Sequence, residues 1–121
     1  MPQPKPLPPW ISHMLDQMRG FAPVQARPMF GGYGLYLDGL MFGIVVGEQL
    51  YFKVDDETQA DYEARGLLPF RYEAKGRTLS LRYHQAPPEA QDEPDVMAHW
   101  ARQAHAVAVN AQAQEIGRAH V

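Results

Sequence analysis

The chain has 121 residues, with 11 lysines and arginines against 14 aspartates and glutamates, a formal net charge of −3 and no cysteine. This length fits one domain, because two domains would each fall well below the usual ~100–150 residues. The absence of cysteine excludes a disulfide scaffold, a thiolate-ligated metal site and thiol catalysis. The acidic balance argues against a general nucleic-acid binder, which normally has an excess of basic residues.

The N-terminal segment does not look like a targeting signal. Residues 1–9 are rich in proline and lack the apolar core of a secretory signal. The longest apolar run, Leu40–Val46, has seven residues, far short of the ~18–20 that span a bilayer. We therefore expect a cytoplasmic protein without a membrane segment.

The last six residues resemble a sequencing artefact. Residues 116–121 read Ile-Gly-Arg-Ala-His-Val, which back-translates as ATC GGA AGA GCA CAC GTC, the start of a common short-read adapter. Adapter read-through would mean that the natural C-terminus is missing; the alternative is an ordinary polar tail. We accordingly divide the chain into a proline-rich segment (1–9), a domain (10–109) and a C-terminal tail (110–121).

The first element is predicted to be a helix between the Pro8-Pro9 pair and Gly20, because one apolar stripe recurs at helical spacing. From Arg27 the apolar period changes to two, and Asp38-Gly39 predicts a two-residue hairpin turn. The helical stripe contains Trp10, Ile11, Met14, Leu15 and Met18. The hairpin pairs Leu37 with Leu40, Leu35 with Phe42, Tyr33 with Ile44 and Gly34 with Gly43.

A second turn at Gly47–Gln49 allows a loop of two or three residues. We prefer three, because that register keeps one continuous apolar face. It places Val46, Ile44 and Phe42 opposite Leu50, Phe52 and Val54. A short helix follows up to about Arg65, with Asp55 or Asp56 as its N-cap, Gln59 as the capping-box partner of Asp56 and Gly66 as its stop.

The rest of the chain predicts one more hairpin and a long helix. The hairpin turns at Lys75-Gly76 and pairs Phe70 with Leu81, Arg71 with Ser80, Tyr72 with Leu79 and Glu73 with Thr78, which separates an apolar face from a polar one. Pro87-Pro88 ends the sheet, and Asp92-Glu93-Pro94 begins the helix. Its buried stripe contains Val96, Met97, Trp100, Ala101, Ala104, Val107 and Ala108.

These elements predict an α+β fold. The order is α-β-β-β-α-β-β-α, and five antiparallel strands with one apolar face fit a two-layer sandwich with helices on one side. Many of the spaced motifs also resemble the N-terminal domain of the TfoX (Sxy) family. The resemblance rests on residues 27–36, where Met29, Phe30, Gly31, Gly32 and Gly34 stand, and on Asp38, Gly39, Met41, Phe42, 50–55, Pro69, Phe70, Tyr72, Lys75, Gly76, Tyr83, Pro87, Trp100 and Ala101.

The resemblance implies a bacterial domain with a secretion-chaperone-like α+β fold. It also implies kinship with regulators of natural competence, which act with the cyclic-AMP receptor protein at certain promoters. The helical C-terminal domain of the full-length regulators is absent from this sequence. Many relatives are stand-alone N-terminal domains, so we expect a stand-alone or a truncated member.

Catalytic, metal-binding and cofactor motifs are not recognisable in the sequence. The glycines of residues 31–34 run into a strand rather than a helix N-terminus, so they fit a bend or bulge better than a phosphate loop. His99 and His105 lie six residues apart, which is not a metal-binding pair on a helix. Neither Ser12 nor Ser80 occupies a nucleophile elbow. We therefore expect no enzyme activity, no cofactor and no metal.

The residues expected on the surface suggest that the chain binds a partner. Residues 70–85 contain four cations and one acid, inside an acidic chain. A face that combines Tyr and Arg is typical of protein interfaces, although exposed Tyr and Arg on an open sheet are also ordinary. We expect a transcription component or a second copy as the partner; direct DNA binding is the alternative, and a small-molecule role comes third. The candidate interaction face contains Tyr36, Met41, Tyr51, Lys53, Arg71 and Arg82.

Overall fold

A computed structural model describes residues 7–29, 31–74 and 76–119, with backbone alone at 72–74, 77–80 and 115–119. It has an α+β fold in which helices cover one face of a six-stranded antiparallel sheet. The strand order across the sheet is β1-β2-β3-β4-β6-β5. The elements are α1 (Pro9–Gln17), β1 (Gln25–Met29), β2 (Gly32–Leu37), β3 (Leu40–Val46), β4 (Gln49–Lys53), α2 (Asp56–Ala64), β5 (Pro69–Ala74), β6 (Arg77–Gln85), α3 (Pro88–Asp92) and α4 (Pro94–Ala119).

The sequence predicted five strands and three helices, whereas the described residues form six strands and four helices. Residues Gln25–Met29 form a separate edge strand, β1, which pairs with β2 although Pro28 lies within it; an edge position tolerates proline because one side of the strand needs no donor. The short helix α3 precedes α4 and was not predicted. Pro88 begins α3 and Pro94 begins α4, in keeping with the preference for proline in the first turn.

A β-bulge sets the register of the first hairpin. Leu37 pairs with Leu40 as predicted, but the register shifts between Leu35 and Tyr36, so that Leu35 lies opposite Gly43. The extra residue falls in β3, and bulges of this kind bend a strand and redirect its side chains. The predicted pairs that the bulge overturns are Leu35 with Phe42, Tyr33 with Ile44 and Gly34 with Gly43; the observed partners are Tyr33 with Val45 and Gly34 with Ile44.

The turn between β3 and β4 has two residues, so the three-residue loop was wrong. Val46 lies opposite Gln49, and Val45 lies opposite Leu50. Gly47 and Glu48 have φ angles of 52° and 62°, which is the left-handed pair that a tight type I′ hairpin requires. Of the two, only Gly47 adopts a positive φ angle without strain. Because Glu48 is not a glycine, the sequence did not single out the two-residue turn.

Helix α2 begins as expected but with a different capping pair. The side chain of Asp55 accepts a hydrogen bond from the Thr58 backbone N–H at 2.8 Å, and the Asp55 N–H donates to the Thr58 hydroxyl oxygen at 3.0 Å. Thr58, and not Gln59, therefore completes the capping box. The helix ends at Ala64, and Gly66 follows with a φ of 72°, as the predicted stop requires.

The second hairpin largely has its predicted register. Arg71 pairs with Ser80, Tyr72 with Leu79 and Glu73 with Thr78. The pairing of Phe70 with Leu81 is replaced by a register shift between Pro69 and Arg71, although both side chains lie in one apolar cluster. Lys75 lies outside the described residues.

The main core lies between the helices and one face of the sheet. Helix α4 packs across β3 and β4, and α1 packs on α4. Six of the seven residues in the predicted α4 stripe are buried, and Val96 is half-buried. Large members of this core are Ile11, Met14, Met18, Leu35, Phe42, Val45, Leu50, Phe52, Tyr62, Met97 and Trp100.

Candidate interaction face

The sheet has a second apolar cluster on the side opposite the main core. Ile44, Phe70 and Tyr83 are its buried members, with 0%, 4% and 4% of their surface exposed. Half-buried neighbours pack against them, and every member comes from a strand; none comes from a described helix. We call this side of the sheet the open face. Its half-buried apolar side chains are Met41, Val46, Tyr51 and Leu81.

The bulge in β3 explains why both sides of the sheet are apolar. Phe42 and Val45 join the main core, whereas Met41, Ile44 and Val46 lie on the open face. Strict alternation would put Phe42 and Ile44 on the same side, but the extra residue of the bulge separates them. A strand with apolar residues on both sides needs cover on both sides to be fully buried.

Aromatic contacts hold the centre of the open face in place. The rings of Tyr51 and Phe70 meet edge to face, with 5.0 Å between their centroids. The Tyr83 hydroxyl donates to the main-chain carbonyl of Met41 at 3.3 Å. Burial raises the pKa of Tyr83, and the nearby Tyr36 phenol raises that pKa further. The hydroxyl of Tyr83 therefore stays protonated and remains a donor at physiological pH.

Gly34 provides the space for three open-face side chains. A Cβ atom at Gly34 would lie 2.8 Å from the sulfur atoms of both Met29 and Met41, and 2.9 Å from Cε1 of Tyr36. Real Cβ contacts essentially never fall below 3.0 Å. Glycine is thus required here because three side chains close over its backbone.

Two cations lie against tyrosine rings on this face. The guanidinium carbon of Arg27 lies 4.8 Å from the ring centroid of Tyr36, and the Lys53 Nζ lies 5.3 Å from that of Tyr83. Both distances fall within the range of cation–π attraction. Within the part of the chain that the structure describes, neither cation forms an ion pair.

The structure brings together four of the six residues of the candidate face. Tyr36, Met41, Tyr51 and Lys53 share the open face. Arg82 lies on the helix side, where its guanidinium is 2.8 Å from an Asp56 carboxylate oxygen of α2. Strand alternation also directs Arg71 away from the side that holds its neighbour Phe70.

Sequence reasoning missed the buried centre of the open face and one of its cations. Ile44 was assigned to the helix side, because the register without a bulge placed it opposite Tyr33, on the same face as Leu35. Phe70 and Tyr83 were not included in the candidate face, and neither was Arg27. The available signal was β3 itself, whose run of apolar residues from Leu40 to Val46 is typical of a strand covered on both sides.

The motif residues have structural roles. Gly31 and Gly39 have φ angles of 80° and 78°, and Asp38 has a φ of 53°, so all three lie in turns that need the left-handed region. A Cβ atom at Gly32 would collide with the main-chain carbonyl of Val45. Met29 lies on the open face, Trp100 packs edge to face on Tyr62 at 5.0 Å, and Phe30 lies outside the described residues.

Outside the open face, the described residues offer little chemistry. They contain no group of three histidine, cysteine or acidic side chains that could hold a metal ion. Nor does any helix in the described ranges have the length and apolar character needed to cross a membrane. His84 is buried, with Nδ1 2.9 Å from the Leu67 carbonyl oxygen. Burial also raises the pKa of Tyr62, whose hydroxyl lies in the core without a described hydrogen-bond partner.

Comparison with known proteins identifies one family. The family model named TfoX N-terminal domain matches residues 16–108, which include every strand of the sheet and most of α4. No curated protein matches the chain. The matched range contains all of the open-face residues.

Proposed function

Since this chain belongs to the TfoX N-terminal domain family, we propose that it is a protein-interaction module, without enzyme activity, that binds its partner through the open face. The family is not a known enzyme family. A binding role requires a surface whose burial releases free energy, and the open face is the part of the described chain that best meets this requirement.

The observation that carries the proposal is an apolar cluster on the uncovered side of the sheet. Three buried side chains form its centre, and four half-buried ones surround them. Contiguous apolar patches on a protein surface usually mark binding sites. Tyr, Met and Arg are enriched at the centres of interfaces, and here Tyr36, Met41 and Arg27 are neighbours on one surface.

We further propose that the partner takes part in gene regulation in the cytoplasm. The support is the resemblance to competence regulators, and the residues that carry it include much of the open face. Competence itself, the transcriptional role and the identity of the partner all belong to this proposal.

Direct DNA binding has weaker support from the charges. The guanidinium groups of Arg19, Arg65 and Arg82 each contact a carboxylate within 3.1 Å, so each of these cations already has an acidic partner. Sequence-independent affinity for nucleic acid grows with the number of phosphates that free cations neutralise. Among the described side chains of the open face, Arg27 and Lys53 are the cations available for that purpose, and its buried centre is apolar.

The proposal is tested by quantitative affinity capture from cell extract with two matched baits. One bait carries Met41→Gln and Leu81→Gln on the open face. The control carries Leu68→Gln and Val109→Gln, which remove two more exposed apolar side chains, at 62% and 43%, that are not members of the open-face cluster. Both baits are first compared with the unmodified chain by thermal unfolding.

The expected result is a protein that the unmodified chain and the control retain and that the open-face bait loses. A capture profile that is the same for both variants contradicts the proposal. Tight binding of a single-stranded or duplex oligonucleotide, with an affinity that falls steeply as salt increases, supports the DNA alternative instead.

A further inference from the structure

The strands of this protein are depleted of acidic residues. Strands β1 to β4 and β6 contain no aspartate or glutamate, and β5 contains only Glu73. The chain as a whole has 14 acids, so nearly all of its negative charge lies in helices, turns and loops. The cations on the strands are Arg27, Lys53, Arg71, Arg77 and Arg82.

On the open face Arg27 lies at one edge of the sheet, and Lys53 lies within the apolar cluster, beside Tyr83. Arg27 lies in the edge strand β1, and Lys53 lies in β4. Three strand spacings separate β1 from β4, which corresponds to about 14 Å. Tyr36 and Met41 lie between them on β2 and β3. A partner that covers the cluster therefore contacts Lys53, and one that extends across Tyr36 to the edge strand also reaches Arg27.

Covering these cations without a counter-charge is unfavourable. Lys53 is already half-buried against Tyr83, and removing the remaining water from an ammonium group costs free energy unless an acceptor replaces it. A wholly apolar partner offers no acceptor. A second copy of this chain, docked with its open face on this one, would bring Arg27 and Lys53 of both copies together and supply no strand carboxylate between them.

Resting on the proposed function, we infer that the open face recognises an acidic, amphipathic protein segment. Its apolar side chains cover Met41, Tyr51 and Leu81, and its carboxylates meet Arg27 at the sheet edge and Lys53 within the cluster. The two cations act as specificity-determining residues. Charge complementarity of this kind selects one partner over others more than it adds affinity.

The test is peptide selection from a random library of 20-residue displayed peptides. One selection uses the unmodified chain, and the other uses the charge-reversed variant Arg27→Glu with Lys53→Glu. Both exclude peptides that still bind Met41→Gln with Leu81→Gln. We expect apolar peptides enriched in Asp and Glu from the first selection, and apolar peptides enriched in Lys and Arg from the second.

A second measurement uses the tightest acidic peptide and its amide counterpart, in which Asp and Glu are replaced by Asn and Gln. Fluorescence anisotropy should show about tenfold weaker binding of the amide peptide to the unmodified chain, the size expected for two exposed ion pairs. The two peptides should bind equally to Arg27→Gln with Lys53→Gln. This variant keeps the apolar cluster, so it separates charge from packing.

The outcomes distinguish this inference from the proposed function. Apolar peptides without an excess of acids, or equal affinity of both peptides for the unmodified chain, overturn the inference and leave the open face as a binding surface. Failure to recover any peptide that depends on Met41 and Leu81 overturns both. Sedimentation of the unmodified chain as a dimer that Met41→Gln with Leu81→Gln dissociates assigns the face to a second copy and also overturns the inference.

Discussion

The Tyr83 hydroxyl reaches over strand β4 to the Met41 main-chain carbonyl, 3.3 Å away, and so joins two strands that are not neighbours in the sheet. Met41 lies beside the bulge in β3, where the ladder of backbone hydrogen bonds is locally disrupted. One side chain thus stabilises the bulge that turns Ile44 towards the open face. The contact ties β6 to the strand that carries the bulge.

Replacing Tyr83 by Phe should lower the free energy of unfolding by about 1 kcal/mol, because the Met41 carbonyl loses its donor in a half-buried place. Tyr51→Phe is the matched control on the same face, since no hydrogen bond of the Tyr51 hydroxyl is seen among the described residues. Its effect should stay within ~0.5 kcal/mol. Urea unfolding followed by circular dichroism measures both, and equal losses would speak against the bridge.

Three glycine-to-alanine substitutions should lower the free energy of unfolding by different amounts, in a fixed order. Gly32→Ala should be the most harmful, because the new methyl group meets the Val45 carbonyl, and main chain within a sheet cannot move aside. Gly34→Ala should cost about 1–3 kcal/mol, because the atoms that it meets belong mainly to flexible Met side chains. Gly20→Ala meets nothing within 4 Å and should be close to neutral.

Thermal and urea unfolding of the three purified variants give this order directly. The order itself is the prediction, because it does not depend on the absolute stability of the domain. A Gly34→Ala variant as stable as Gly20→Ala would mean that Met29, Met41 and Tyr36 do not close over Gly34 in solution.

Ile44→Ala should lower the free energy of unfolding by about 2–4 kcal/mol, because Ile44 is completely buried although no described helix covers it. Ile44→Val removes a single methylene and should cost about 1 kcal/mol. The pair is measured by urea unfolding of the isolated chain. A cost for Ile44→Ala below ~1 kcal/mol would show that the cluster is not packed in the free protein.

The N-cap of α2 should make stability depend on pH in the acid range. A hydrogen bond from the Thr58 backbone N–H lowers the pKa of Asp55 in the folded state. The carboxylate therefore contributes its full stabilisation above the unfolded-state pKa of about 3.9, and this contribution is lost as the pH falls through the lower, folded-state pKa.

Two substitutions of Asp55 distinguish the effect of its capping hydrogen bond from the effect of its negative charge. Asp55→Ala should cost about 1 kcal/mol at pH 7. Asp55→Asn keeps a side-chain acceptor for the helix N-terminus and should lose less. Both should weaken the decline in stability as the pH falls from about 5 through the lowered folded-state pKa of Asp55, which urea unfolding across that range measures. An unchanged pH profile in both variants would exclude Asp55 as a source of the decline.

The sequence was informative where one signal dominates. Asp38-Gly39 correctly predicted the pairing of Leu37 with Leu40, and Gly66 correctly predicted where α2 ends. The second hairpin has its predicted register from Arg71 to Glu73, because polar and apolar residues alternate there.

The sequence failed in β3 because both sides of that strand are apolar. Alternation then no longer distinguishes one register from the next. The bulge, and the two-residue turn in which Glu48 has a positive φ, are determined by tertiary packing and not by the local sequence pattern. Since the bulge turns Ile44 towards the open face, a register without a bulge placed Ile44 on the wrong side.

The central claim is that the open face is where this chain meets its partner, and site-specific photo-crosslinking tests it most directly. A benzoyl-phenylalanine at Tyr36, on the open face, is compared in living cells with the same group at His99, which is exposed on α4. We predict a discrete protein adduct from position 36, abolished by Met41→Gln with Leu81→Gln, and none from position 99. Adducts from position 99 alone, or identical adducts from both positions, would contradict the claim.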